Sequence, residues 1–206
     1  MHAPVINQSR MDTTMKRSML YGAVAAGLLG FSMTASADFS GYYAPSNWLI
    51  GHSPDASTDF GSVRQTGAPG SITLVGSDSN SLEFPSSRLD FKIAAPAAGT
   101  FSFNWVYTST DSLGAFFDPA GYVHNAQFQL TADGGANSQS GQVSVLVAAG
   151  DTIGFHVTTL DNNGGSASLT ISNFSAPVPE PASVAMMALG LLGLAGAAVA
   201  RRRRLP

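Results

Sequence analysis

The stretch TFSFNWVYT, residues 100–108, has the two-residue period of a β-strand. Its large side chains occupy every second position, and the positions between them are mostly polar, with Val106 as the exception. Successive side chains of a strand point to opposite faces of the sheet, so one face of this strand would be aromatic and buried. Burial of each ring would contribute about 1.5–3 kcal/mol. The predicted inward set is Phe101, Phe103, Trp105 and Tyr107, and the predicted outward set is Ser102, Asn104 and Thr108.

Similar alternation recurs at short intervals, and the breaks between the segments are rich in Gly, Asp and Asn, which favour turns. No part of residues 38–177 keeps a helical period for three turns. We therefore predict an all-β domain of eight or nine strands over residues 38–177, a β-sandwich of jelly-roll or CUB-like type. The other predicted strands are residues 71–75, 89–94 and 122–131, and the segments that contain Val143/Val145/Val147, Ile153/Phe155/Val157 and Ala167/Leu169/Ile171.

Composition excludes several classes of protein. The chain has 206 residues and no cysteine, so disulfides, thiolate metal sites and a cysteine nucleophile are ruled out. Only 11% of the residues are charged, and the basic residues cluster near the two ends. Between Asp38 and Glu180 there are three basic and twelve acidic residues, a net charge of −9. Such a surface lacks the basic patch that nucleic-acid binding requires, and it would attract divalent cations.

The start of the chain has the pattern of a secretory signal. Lys16 and Arg17 form a basic region, and residues 19–33 are mostly apolar. Ala35-Ser36-Ala37 is a small-x-small site for signal peptidase, so the mature chain is expected to begin at Asp38. Residues 1–37 are therefore predicted to be a signal peptide, with residues 1–14 as an upstream extension.

The end of the chain has the pattern of a membrane span. Residues 182–200 carry no charge, and a helix of this length would cross a hydrocarbon core of about 30 Å. Four arginines, Arg201, Arg202, Arg203 and Arg204, follow at once. Basic residues stay on the cytoplasmic side, so the sandwich would lie outside the membrane.

Directly before this span stands Val178-Pro179-Glu180-Pro181. Two prolines around a carboxylate hold the backbone extended, which suits recognition by a protease or transpeptidase. The tetrapeptide, the helix rich in Ala, Leu and Gly, and the terminal arginines together resemble the PEP-CTERM sorting signal of bacterial surface proteins, over residues 178–206. The resemblance implies a temporary membrane intermediate that an exosortase, a membrane-embedded cysteine protease, cuts near the Pro-Glu-Pro. It also implies a final place at the cell surface or in the extracellular matrix, and a link with exopolysaccharide and biofilm production.

Most of residues 98–177 are also similar to the ectodomain common in PEP-CTERM proteins, for which the resemblance implies no particular activity. The matching segments are Phe103-Asn104-Trp105, residues 118–122, residues 147–155 and Ile171-Ser172-Asn173-Phe174.

The sequence offers little that suggests catalysis. It contains no phosphate-binding loop, dinucleotide fingerprint, nucleophile elbow or H-E-x-x-H zinc motif. His52, His124 and His156 are isolated, and His156 is predicted to be a solvated side chain on the outward face of its strand. We therefore expect no enzymatic activity and no cofactor apart from a hypothetical calcium ion.

The calcium hypothesis rests on three acids in predicted loops. Asp111, Asp118 and Asp161 would supply the hard oxygen ligands that calcium prefers. The alternative is that each of them caps a turn and remains solvated.

Three classes of function stay open. A structural or adhesive role at the cell surface or in an exopolysaccharide matrix is the leading hypothesis. A lectin-like carbohydrate-binding module is the first alternative, with Tyr42, Tyr43 and Trp48 as candidate exposed rings, although burial in the sandwich core is the more common fate of such residues. A secreted hydrolase is the second, and it would need convergent His, Asp or Glu side chains in a cleft.

Overall fold

The computed structural model describes residues 36–53, 61–80, 86–179 and 189–195. Two antiparallel sheets form most of these residues, which confirms the predicted sandwich. Sheet A has the strand order β3-β4-β11-β6-β9, with β1 beside β11, and sheet B has the order β2-β5-β10-β7-β8. The strands are β1 (Ser36–Ala37), β2 (Leu49–Ser53), β3 (Ser62–Arg64), β4 (Ser71–Val75), β5 (Ser87–Ala94), β6 (Gly99–Ser109), β7 (Ala120–His124), β8 (Ala126–Gln129), β9 (Ser138–Val147), β10 (Thr152–Thr159) and β11 (Ala167–Pro177).

The stretch at residues 100–108 lies in β6, between β11 and β9. All four of its predicted inward residues are buried. They meet the inward side chains of sheet B, and the Phe103 ring packs edge-on against Phe155 of β10 with centroids 5.0 Å apart. Strand β6 is therefore the centre of the aromatic core, as its alternation predicts.

The segment before β2 completes this core. Short 3₁₀ turns at Gly41–Tyr43 and Pro45–Asn47 turn the chain so that Trp48 stacks on Phe91, with ring centroids 4.6 Å apart. Phe39 stacks in the same way on Phe174, with centroids 4.3 Å apart. The two-sheet core is thus closed at one end by aromatic side chains from outside the long strands.

Three features differ from the predicted strand pattern. Residues 122–131 are not one strand, because the chain reverses at Asn125, whose φ is +57°, and β7 pairs with β8. Strand β11 continues beyond Asn173 to Pro177, with a register shift where Asn173 has a φ of +48°. Strands β2 and β3 are edge strands that the alternation did not predict.

The predicted export segments fall largely outside the described residues. Ala35, Glu180, Pro181 and Arg201–Arg204 all lie outside them, as does most of the predicted span at 182–200. Residues 189–195 are helical, and their side chains are exposed. Within the described parts of the chain, no helix combines the length and hydrophobicity needed to cross a bilayer.

Candidate functional site

The loops after β6 and β10 bring the three predicted acids into one region of the sandwich. Residues 110–119 join β6 to β7, and residues 160–166 join β10 to β11. The loops are tied together because the Ser112 amide donates to the Gly164 carbonyl at 3.2 Å and the Leu160 amide donates to the Phe117 carbonyl at 2.7 Å. The two loops are some fifty residues apart in the sequence, and the pairing of β11 with β6 brings them together.

Asp118 is fully buried in this region, with 0% of its surface exposed. Its Oδ2 accepts a hydrogen bond from Ser109 Oγ at 2.8 Å, whereas its Oδ1 has no partner. The pKa of Asp118 is raised from 3.8 to about 6, mainly by burial and to a smaller extent by the charges of Asp111 and Asp161. The hydroxyl groups of Ser109 and Thr159 oppose that rise. The Asp118 carboxylate therefore lies where water is excluded and the electrostatic potential is negative.

Asp111 is buried beside it, with 1% of its surface exposed. Its amide donates to Ser109 Oγ at 3.0 Å, so one hydroxyl contacts both acids. Its Oδ1 accepts from the Leu113 amide at 2.5 Å, and its Oδ2 has no partner. Gly164 has a φ of +86° and lies against this carboxylate, since a Cβ there would be 3.2–3.3 Å from its atoms.

Asp161 is less deeply placed than the other two acids. It is half-buried, and its Oδ1 accepts a hydrogen bond from the Asn163 amide at 3.3 Å. Among the described residues, no three His, Cys, Asp or Glu side chains lie close enough together to hold a metal ion. A cation here would therefore depend on the two buried carboxylates, and the calcium hypothesis for all three acids stays a prediction.

His156 corrects one prediction from the sequence. It does lie on the outward face of β10, between Gly121 of β7 and Asp90 of β5, but it is only 6% exposed. Gly121 makes the space for the ring, since a Cβ there would be 2.3 Å from His156 Nε2. Burial lowers the pKa of His156 from 6.5 to about 4, so the imidazole is neutral at physiological pH. A side chain packed in this way is part of the structure rather than a solvated group.

Two of the three rings suggested for carbohydrate stacking are core residues. Trp48 is 6% exposed and donates its indole N–H to the Tyr43 carbonyl at 2.9 Å, and Tyr43 has no exposed surface. Tyr42 is exposed, and its hydroxyl donates to the Ala94 carbonyl at 3.1 Å. Burial, the more common fate of such rings, is therefore what the structure shows for Trp48 and Tyr43, which cannot present a ring face to a sugar.

The outer face of sheet A is mostly polar across its four long-paired strands, and Arg64 of β3 lies at its edge. Strands β4, β11, β6 and β9 contain no Asp, Glu, Lys or Arg. Hydroxyls pair across this face, as in the 2.9 Å contact between Thr73 Oγ1 and Thr170 Oγ1. Two shallow depressions of about 430 and 460 Å³ share Asn104 and Gln142, which are partners in the β6–β9 register. Sequence reasoning assigned the outward polarity of β6 but did not identify this face.

The residues that follow β11 are matched by a known sorting signal. The description of the matching family is PEP-CTERM protein-sorting motif, and the match covers residues 177–204. The chain carries a PEP-CTERM sorting signal. The PEP-CTERM signal indicates an exported protein that is sorted to the cell surface. No curated protein matches the chain.

Solved structures that resemble this chain include several domains of low sequence identity. A family 35 carbohydrate-binding module from Clostridium thermocellum is 12% identical, with a TM-score of 0.32 over 62% of this chain and 92% of the module. The K1 cleaved adhesin domain of Lys-gingipain from Porphyromonas gingivalis is 13% identical, with a TM-score of 0.40 over 70% of this chain and 98% of that domain. A Cellvibrio mixtus module solved with cellotriose is 15% identical, with a TM-score of 0.27 over 61% of this chain and 96% of the module.

Proposed function

We propose that this chain is an exported surface protein that an exosortase cuts beside Pro179-Glu180-Pro181. The PEP-CTERM match at residues 177–204 is the observation that carries the proposal. The apolar residues 182–200 would hold the protein in the inner membrane until cleavage. The sandwich would then serve as a structural or adhesive component of the cell surface or of an exopolysaccharide matrix.

The junction between sandwich and signal supports cleavage at this point. Strand β11 ends at Pro177, which is buried and whose carbonyl accepts the Tyr43 hydroxyl at 2.7 Å. Val178 is half-buried against the core, and Pro179 is exposed. The last core contacts of the sandwich thus come directly before the Pro-Glu-Pro. A cut there would leave both sheets whole.

The exported protein is expected to lack its arginine cluster. Intact-mass analysis of the protein recovered from the producing cell should show a carboxyl end near Pro179-Glu180-Pro181. Replacement of these three residues by alanine should leave residues 201–204 in place and the protein in the membrane fraction, because the extended recognition segment is lost. Asp133→Ala, an exposed loop acid, is the matched control and should mature normally. Retention of the arginines in the native product, with normal maturation of the alanine variant, would contradict the proposal.

The same mass spectrum reports the amino end, which we expect at Asp38. Cleavage after Ala37 would remove β1, a two-residue strand that pairs only with the end of β11. The five-strand path of sheet A does not depend on it. The mature sandwich should therefore keep its fold without β1.

The absence of charged side chains from strands β4, β11, β6 and β9 favours carbohydrate binding on the outer face of sheet A as a second candidate function. Neutral sugars are bound through hydroxyl and amide groups, and this face offers both around Asn104 and Gln142. The acidic character of the remaining domain would disfavour acidic polymers. A neutral polysaccharide is therefore the expected ligand class.

Affinity electrophoresis in neutral and in acidic bacterial polysaccharides tests this candidate. The protein should be retarded by a neutral polymer, and the double variant Asn104→Ala/Gln142→Ala should bind at least about tenfold more weakly because two hydrogen-bonding amides are lost. Ser138→Ala, on the same face but outside both depressions, should bind like the parent. Undiminished retardation of the double variant would exclude this face as the binding site.

A further inference from the structure

We propose that the loops after β6 and β10 form a calcium site whose charged ligands are Asp111 and Asp118. The site is independent of the sorting signal and of the outer face of sheet A. If calcium does not bind here, the proposals about exosortase cleavage and about carbohydrate binding are unaffected.

Two buried oxygen atoms carry the proposal. Asp111 Oδ2 and Asp118 Oδ1 are both inaccessible to solvent and lack a hydrogen-bond partner. In each carboxylate the other oxygen is fixed by the protein, Asp111 Oδ1 by the Leu113 amide and Asp118 Oδ2 by the Ser109 hydroxyl. Buried carboxylate oxygens without a partner cost several kcal/mol, so such atoms are normally hydrogen-bonded or bound to a cation.

The local charge also favours a bound cation. The described ion pairs leave Asp111 and Asp118 without a basic partner, because Arg88 and Lys92 both contact Asp90 on the outer face of sheet B. The charge of Asp161 adds to the negative potential at Asp118. A divalent cation would neutralise the two buried carboxylates and satisfy both free oxygens at once.

The donor set selects calcium among divalent ions. The chain has no cysteine, and the available side-chain donors are carboxylate oxygens, which zinc and copper sites rarely use alone. Calcium accepts six to eight oxygens in flexible geometry, including backbone carbonyls and water. Backbone of the second loop lies next to the site, since Gly164 packs against the Asp111 carboxylate and Gly165 against Thr110. Magnesium demands a stricter octahedron and should bind more weakly.

Calcium titration of the exported protein, purified from the producing cell and freed of metal by chelator, tests the site. Calcium chloride at about 1 mM should raise the melting temperature by several degrees, because a ligand that binds only the folded state stabilises it. Terbium chloride should give sensitised emission through Tyr107, whose hydroxyl donates to the Asp118 carbonyl at 2.9 Å. Magnesium chloride at the same concentration should give a smaller shift.

Isosteric variants distinguish calcium binding at this site from a general attraction of calcium to the acidic surface. Asp111→Asn and Asp118→Asn should each weaken calcium binding by about tenfold or more, whereas Asp161→Asn should weaken it by less than about threefold. Asp133→Asn, at an exposed acid outside the two loops, should bind like the parent. Far-UV circular dichroism verifies that each variant is folded before titration. The absence of any calcium shift in the parent, or equal shifts in all four variants, would overturn the proposal.

Discussion

Replacement of Trp48 by alanine is expected to lower the free energy of unfolding by about 4 kcal/mol, since deletion of a buried aromatic ring removes its burial energy and leaves a cavity. The Trp48 ring lies parallel to Phe91, 3° apart, and its centroid is 6.0 Å from that of Phe155. Its indole N–H also bonds to the Tyr43 carbonyl at 2.9 Å. One substitution therefore loosens the contact between the amino-terminal turns and sheet B.

Urea unfolding measures this loss, and Tyr42→Ala is the matched control. Tyr42 is 44% exposed, so its replacement should cost less than about 1 kcal/mol even though one hydroxyl hydrogen bond is lost. Because a domain of this kind is stable by about 5–15 kcal/mol in total, the Trp48 variant should unfold at a clearly lower midpoint. Equal midpoints for the two variants would show that Trp48 does not belong to the core.

The position of Trp48 also shows where sequence reasoning fails. The segment at residues 41–48 is rich in turn-forming residues, which favours exposure, and it has no alternation that would place an aromatic ring inward. Its burial depends on Phe91 and Phe174, which are distant in the sequence. Only the tertiary arrangement brings these rings together.

Strands with strict alternation were predictable, and the hairpin at Asn125 was not. Strands β6 and β11 bury alternate residues, so their pattern is visible locally, whereas β10 buries five consecutive residues, Ile153 to Val157. At Asn125 the alternation continues through the turn, and the chain reversal is fixed from outside. The Asn125 side chain accepts from the Thr152 amide at 2.9 Å and donates to Asp151 at 2.8 Å. A turn held by a segment some twenty-five residues away leaves little signal in its own sequence.

The same limit applies to the candidate calcium site. Sequence reasoning placed Asp111, Asp118 and Asp161 in loops, and the structure brings those loops together. It could not distinguish the two buried carboxylates from the half-buried third, because that depends on how residues 160–166 cover Asp111. His156 is a parallel case, since its burial follows from the missing side chain of Gly121 on the neighbouring strand.

Asp118 and His156 should have opposite effects on stability as the pH falls. The pKa of Asp118 is raised by burial to about 6, so its contribution is fully present below about pH 4 and is lost as the pH rises through 6. The pKa of His156 is lowered by burial to about 4, so its contribution is fully present above about pH 6.5 and is lost as the pH falls through 4. Between about pH 7.5 and about pH 4.5, each change amounts to about 2 kcal/mol, with opposite signs.

In the parent protein, freed of metal, the two changes should cancel, so its free energy of unfolding should be nearly constant over this pH range. Variants that lack one of the two groups should show the pH dependence of the other. Asp118→Asn should lose about 2 kcal/mol on acidification, because only the protonation of buried His156 remains. His156→Gln should gain a similar amount, because only the protonation of Asp118 remains. Urea unfolding at several pH values, with chelator present, measures both slopes, and Asp133→Asn should behave like the parent. A parallel pH dependence in all the variants would mean that neither buried group titrates with the shifted pKa, since a shift in one group must appear when the opposing group is removed.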